Sequence, residues 1–133
     1  MIKLNVMLID GDKAAFSILE RMLVPYEFLH LVGSYSDPYQ ALATLNRYPL
    51  DMIFLDLDIQ YINCLEIAAR IGRLCETTEI VFVTVEPHYA IEAFNLNVMD
   101  YLLKPIEQPR LDQTIMKLLR RVEKRNFIRT VVK

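Results

Sequence analysis

Residues 51–58 read Asp51-Met52-Ile53-Phe54-Leu55-Asp56-Leu57-Asp58. Four apolar residues stand in a row without polar alternation and then give way to carboxylates. A run this short and this unbroken suits a strand buried on both faces, as in a parallel sheet covered by helices. Its end then delivers Asp56 to the edge of the sheet.

Outward from this stretch the pattern repeats. Leu4 to Ile9 ends at Asp10, Leu29 to Tyr35 is broken by Gly33 and reaches Ser36, Ile80 to Val83 ends at Thr84, and Tyr101 to Leu103 ends at Lys104-Pro105. Helical spacing separates the runs. Ala14, Ile18 and Met22 follow Asp12, a candidate cap, and Pro25 closes that helix. Asp37 and Pro38 read as N-cap and first helical residue of a second helix, which carries Ala41, Leu42 and Leu45 inward and stops before Pro49. Leu65, Ala68, Ala69 and Ile71 mark a third helix, Pro87 to Phe94 a short fourth, and Leu111, Ile115, Leu118, Leu119 and Val122 a long fifth. The predicted architecture is α/β: a three-layer (βα)5 doubly wound parallel sheet of five strands.

In such a sheet all strands end on one edge, and ligands bind outside it. Asp10, Asp56, Thr84 and Lys104 are therefore expected to converge. Clustered carboxylates repel, by roughly 4 kcal/mol at 4 Å and an effective dielectric near 20. A magnesium ion or a lysine would offset that repulsion. A carboxylate so placed is a candidate nucleophile towards phosphorus.

The chain of 133 residues fits one domain, and its 53% hydrophobic and 24% charged content suits a soluble protein with a real core. No apolar run spans a bilayer and the start lacks a secretory pattern, so the predicted location is cytoplasmic, with no membrane contact. Cys64 and Cys75 are read as unbonded thiols, and His30 and His88 lack metal-ligand spacing. Residues 1–116 carry 8 Lys and Arg against 16 Asp and Glu, whereas residues 117–133 carry 7 against 1. The acidic body does not suit nucleic acid, and the basic end reads as the solvated face of a terminal helix. Residues 1–124 are assigned to the domain and 125–133 to a tail or the start of a linker.

Taken in order, these residues resemble the CheY-like receiver domains of two-component response regulators. The passage from Phe94 to Pro105, Phe94-Asn95-Leu96-Asn97-Val98-Met99-Asp100-Tyr101-Leu102-Leu103-Lys104-Pro105, resembles the receivers of LytTR-type and related transcriptional regulators. The resemblance implies a flavodoxin-like strand order 2-1-3-4-5. It makes Asp56 the phosphoacceptor, Thr84 the switch hydroxyl, Lys104 the ion-pair partner of the phosphoryl group and Tyr101 the coupled aromatic. Pro105 becomes the second half of a structural Lys-Pro step. Magnesium would be held by Asp10, Asp56 and the backbone carbonyl of Asp58, with Asp12 a further candidate. A sensor histidine kinase would be the donor. A homodimer would form through the face of the fourth helix, fifth strand and fifth helix, and DNA would be reached only through an output domain outside this chain. Such a domain is no enzyme beyond self-phosphorylation and autodephosphorylation.

Two departures set an alternative beside this. Gly11 stands where the family has a second metal-ligating acid, which weakens magnesium binding, and the stretch Asp58 to Cys64 keeps Asn63 but lacks the family's proline and glycines. A degenerate receiver, serving as a phosphorylation-independent dimerisation or docking module, fits those losses. A small α/β enzyme or flavin protein fits poorly, because no phosphate-cradling glycine loop is present.

Overall fold

The computed structural model describes residues 2–132. Met1, in the stretch read for a secretory signal, and Lys133, the last cation of the basic end, lie outside the described residues.

Five strands form one parallel sheet: β1 Leu4–Ile9, β2 Leu29–Tyr35, β3 Met52–Asp56, β4 Glu79–Thr84 and β5 Asp100–Leu103. Their spatial order is β2-β1-β3-β4-β5, as the resemblance implies. Five helices join or follow them: α1 Lys13–Leu23, α2 Pro38–Leu42, α3 Cys64–Leu74, α4 Ala90–Asn95 and α5 Gln108–Val131. A 3-10 turn at Pro87–Tyr89 precedes α4.

The strands lack alternation because each face has its own core. Met7, Ile53, Leu55 and Phe82 meet α2, α3 and α4 on one side, while Val6, Leu8, Phe54 and Val81 meet α1 and α5 on the other. Phe54 and Phe82 are 1% and 0% exposed, and each such side chain contributes roughly 1.5–3 kcal/mol through burial.

Local chemistry sets the helix starts. Asp12 and Asp37 cap α1 and α2, accepting from the N–H groups of Ala14 and Tyr39 at 2.9 Å each. Asn63 caps α3, accepting from Glu66 N–H at 3.2 Å. The second helix is shorter than its spacing predicts. It ends at Leu42, and Leu45 reaches the core from a turn in which Thr44 donates to the Ala41 carbonyl at 2.8 Å. A threonine hydroxyl competing for a helix carbonyl favours such a stop.

The second strand, expected to break at Gly33, runs through it. The break is a register slip: Val6 pairs with Leu31 and Met7 with Gly33, so Val32 bulges out. A Cβ on Gly33 would lie 2.7 Å from the Tyr35 ring, which explains the residue. Cys64 opens α3 and Cys75 follows it; both thiols are free. The last helix continues without a break past residue 124 to Val131.

Candidate functional site

The carboxyl ends of β1, β3, β4 and β5 bring four polar side chains together. Asp10 follows β1, Asp56 ends β3, Thr84 ends β4 and Lys104 follows β5. Register fixes their spacing: Asp56 pairs with Val83 and Thr84 with Leu103. Lys104 N–H donates to the Thr84 carbonyl at 2.8 Å, which extends the ladder one step and aims the lysine back over the rim. The Lys104-Pro105 bond is cis.

Lys104 Nζ lies 3.0 Å from Asp10 Oδ2 and 3.6 Å from Asp56 Oδ1, so one cation bridges two carboxylates. Asp56 is the deeper of these two carboxylates, with its side chain 5% exposed against 13% for Asp10. Burial pushes its pKa up to about 6. The Asp58 N–H, donating to Asp56 Oδ1 at 3.0 Å, and Lys104 pull it back, while Asp10 adds to the rise. Burial works against the charge of Lys104. The hydrogen bond to Asp10 and the fields of Asp56, Asp10 and Asp58 outweigh it, so its pKa is raised. Asp56 is thus ionised at neutral pH but held at a cost, and its basicity makes it a better nucleophile than a free aspartate.

Two openings reach Asp56. A polar recess of about 560 Å³ is lined by Asp10, Gly11, Asp12, Asp56, Asp58 and Lys104, among others. An apolar groove of about 410 Å³ runs from the same carboxylates between α1 and Pro105-Ile106.

The donor set fits magnesium sparingly. That ion takes one or two carboxylates and keeps several waters. The resemblance to receiver domains implies that ion at this acidic pocket. Asp10, Asp56 and the Asp58 carbonyl would hold it here, and it would supply positive charge beside the reacting carboxylate. Among the described residues no group of three or more Asp, Glu, His or Cys side chains is arranged to cage a metal. Gly11 supplies no third acid, and a Cβ there would already sit 3.3 Å from Ile59 Cγ2, whose side chain covers that position.

Of the other residues singled out from sequence, Asp12 is spent locally: its carboxylate caps α1 and its N–H donates to Asp10 Oδ1 at 2.9 Å. Tyr101 bonds none of the site carboxylates; its hydroxyl donates to the Glu86 carbonyl and accepts from Tyr89 N–H at 3.2 Å. One participant was missed. The Asp58 side chain, where the resemblance implies a role for the backbone carbonyl alone, accepts from Thr84 Oγ1 at 3.0 Å and from Val85 N–H at 3.0 Å. The available signal was a carboxylate two residues past Asp56, opposite a strand-ending threonine.

Residues 6–116 match the family model described as "Response regulator receiver domain". The chain is 34% identical over 125 residues to an uncharacterized response regulatory protein of Vibrio cholerae, covering 93% of this chain and 52% of that protein. It is 32% identical over 118 residues to the transcriptional regulatory protein LytR of Staphylococcus aureus, covering 86% of this chain and 47% of LytR. The chain thus spans about half the length of the curated relatives it matches. The crystal structure of the response regulatory domain of protein mrkE from Klebsiella pneumoniae superposes with a TM-score of 0.83 at 29% identity, over 91% of this chain and 99% of that one. A five-stranded sheet in the order 2-1-3-4-5, with an acidic pocket at its carboxyl edge, and a family match over most of the chain make this protein a member of the response regulator receiver domain family.

Proposed function

We propose that this receiver accepts a phosphoryl group on Asp56 from a sensor histidine kinase in the cytoplasm and thereby switches an interaction surface that controls transcription. The observation that carries this reading is the Lys104 bridge, 3.0 Å from Asp10 and 3.6 Å from Asp56. It leaves a buried, basic carboxylate beside a fixed cation in an open recess. In the transfer, an Asp56 oxygen forms a bond to phosphorus, the bond from phosphorus to the donor atom breaks, and the donor leaves with the electron pair. No proton need move, because Asp56 reacts as the carboxylate. Lys104 answers charge on the transferring oxygens.

The switched surface is the α4-β5-α5 face. Ile91 and Phe94 on α4, Leu103 on β5 and Met116 on α5 are 73%, 82%, 47% and 51% exposed, an apolar set that suits a second copy of the chain. LytR is named a transcriptional regulatory protein and this chain covers 47% of it, so any DNA contact would belong to an output domain outside the matched part.

The degenerate receiver is the second reading, favoured by Gly11 and by Ile59 packed over it. One experiment separates them. The protein is incubated with saturating magnesium and acetyl phosphate, and its intact mass is measured. A phosphoryl adduct that disappears in Asp56→Ala is the expected result. A folded sample that gains no adduct identifies a phosphorylation-independent docking module.

A further inference from the structure

Both Asp58 carboxylate oxygens lie 3.0 Å from Thr84 Oγ1, a single hydroxyl proton shared between them, and Oδ2 also accepts from Val85 N–H at 3.0 Å. Thr84 is fully buried, so its hydroxyl has no water as an alternative acceptor. The bonding continues beyond it. Glu86 N–H donates to Thr84 Oγ1 at 3.1 Å, the Tyr101 hydroxyl donates to the Glu86 carbonyl, and Tyr89 N–H donates to that hydroxyl at 3.2 Å. Hydrogen bonds at both ends of Glu86, its N–H and its carbonyl, thus link the Asp58 carboxylate through that residue's main chain to Tyr101, the aromatic on β5.

A hydroxyl and a main-chain amide converging on one point form an anion-binding corner, and a charged acceptor makes such bonds roughly twice as strong. The corner adjoins Asp56. Asp58 N–H donates to Asp56 Oδ1, and Asp56 stands one residue short of Thr84 across the β3–β4 register. A phosphoryl group on Asp56 would bring further anionic oxygens to the same donors.

We propose that Asp58 is a built-in anion for this switch: its carboxylate occupies the Thr84 hydroxyl and Val85 amide that a phosphoryl oxygen on Asp56 would use. The path to Tyr101 is therefore engaged before any modification, and phosphorylation has to displace a resident negative charge. This rests on Asp56 being the phosphoacceptor.

The test compares the wild-type chain with Asp58→Ala, which vacates the corner, and Asp58→Asn, which keeps an acceptor but not the charge. Asp37→Asn, which removes one charge from the same recess and preserves the α2 cap, controls for general electrostatics. Acetyl phosphate with magnesium is the donor; phosphorus passes to an Asp56 oxygen and acetate leaves with the electron pair. Intact mass follows the initial rate. Asp58→Ala should be phosphorylated about tenfold faster, the worth of a charge-assisted hydrogen bond. Asp58→Asn should fall between, and should carry the comparison alone if the alanine variant does not fold. Asp37→Asn should stay within about twofold of wild type, since the half-buried Asp37 is occupied in capping α2 and bonds neither Thr84 nor Val85. In the unmodified protein, the amide signals of Val85 and Glu86 should move in both Asp58 variants.

An equal or slower rate in the Asp58 variants, with a clear adduct in wild type, overturns the resident anion and leaves the receiver reading standing. A rate gain matched by Asp37→Asn overturns it too. Absence of an adduct in every variant overturns both readings. Unmoved Val85 and Glu86 amides overturn the contact itself.

Discussion

Two buried aspartates sit at opposite ends of the sheet, and they are treated in opposite ways. Asp56 ends β3 and Asp100 begins β5; their side chains are 5% and 6% exposed. Asp100 meets every demand a buried carboxylate makes. Arg110 grips it with two nitrogens at 2.6 and 3.0 Å, Thr114 Oγ1 donates at 2.7 Å and Tyr101 N–H at 2.9 Å. Burial pushes its pKa up, but these bonds outweigh it and the pKa ends below the usual value. Asp56 receives one backbone N–H, faces a second carboxylate and shares its lysine with Asp10; its pKa ends at about 6. The same side chain at the same depth is satisfied in one place and left wanting in the other. The satisfied one ties β5 to α5. The unsatisfied one is held at a cost that a reaction, a cation or a proton relieves.

The largest break of this contrast is Asp100→Ala. It leaves the buried Thr114 hydroxyl only the long contact to the Arg110 carbonyl at 3.4 Å, and leaves Arg110 the Tyr101 carbonyl at 3.3 Å in place of a carboxylate. The arginine is 41% exposed, so water absorbs part of its loss. The expected destabilisation is about 3 kcal/mol, measured by urea unfolding at pH 7. A change below about 0.5 kcal/mol would mean the network contributes no net stability.

Asp56→Asn should act in the reverse direction. Unfolded, Asp56 has the ordinary value near 3.8; folded, about 6. Between these values the folded chain holds more protons, so its stability falls as pH rises through the window. The cost is absent below about pH 3.8 and complete above about pH 6. The amide carries no such cost but forfeits the ion pair with Lys104. The variant should therefore be about 1–2 kcal/mol more stable than wild type at pH 7. That advantage should grow between pH 4 and 6 and then level off. For Asp100 the sign inverts: its stabilisation is present above the ordinary 3.8 and fades as pH falls through its lowered folded value. Unfolding curves across pH separate the two.

This contrast also marks how far the chain could be read from its letters. The five strands were legible because both sheet faces are covered, which forces apolar residues at successive positions such as Ile53-Phe54-Leu55. The meeting of Asp10, Asp56 and Lys104 followed, since parallel strands end on one edge. The end of α2 at Leu42 was not legible, because it depends on where the Thr44 hydroxyl turns. The destination of the Asp58 carboxylate was hidden for a similar reason: it is decided by a threonine 26 residues away across the β3–β4 register. The Asp100 network did leave a trace, Arg110 and Thr114 four apart on one face of α5. It was overlooked because an acid followed by apolar residues looks the same whether it faces a partner or a ligand.

The smallest effect belongs to Lys104→Met, which sharpens the contrast by removing the cation that bridges Asp10 and Asp56. The side chain is 28% exposed and bridges two carboxylates. Losing the ion pairs and losing the cost of burying an ammonium work against each other, so stability at pH 7 should change by less than about 1 kcal/mol. The carboxylates register the change instead. Lys104 pulls the Asp56 pKa down, so without it Asp56 should titrate above about 6, while the Asp100 titration stays where it was. Carbon-detected titration of the aspartate side chains reads both groups in one sample. Should Asp56 titrate at or below its wild-type position, the lysine is not what keeps this carboxylate charged. The Asp58 N–H would then be the group that holds Asp56 ready to react.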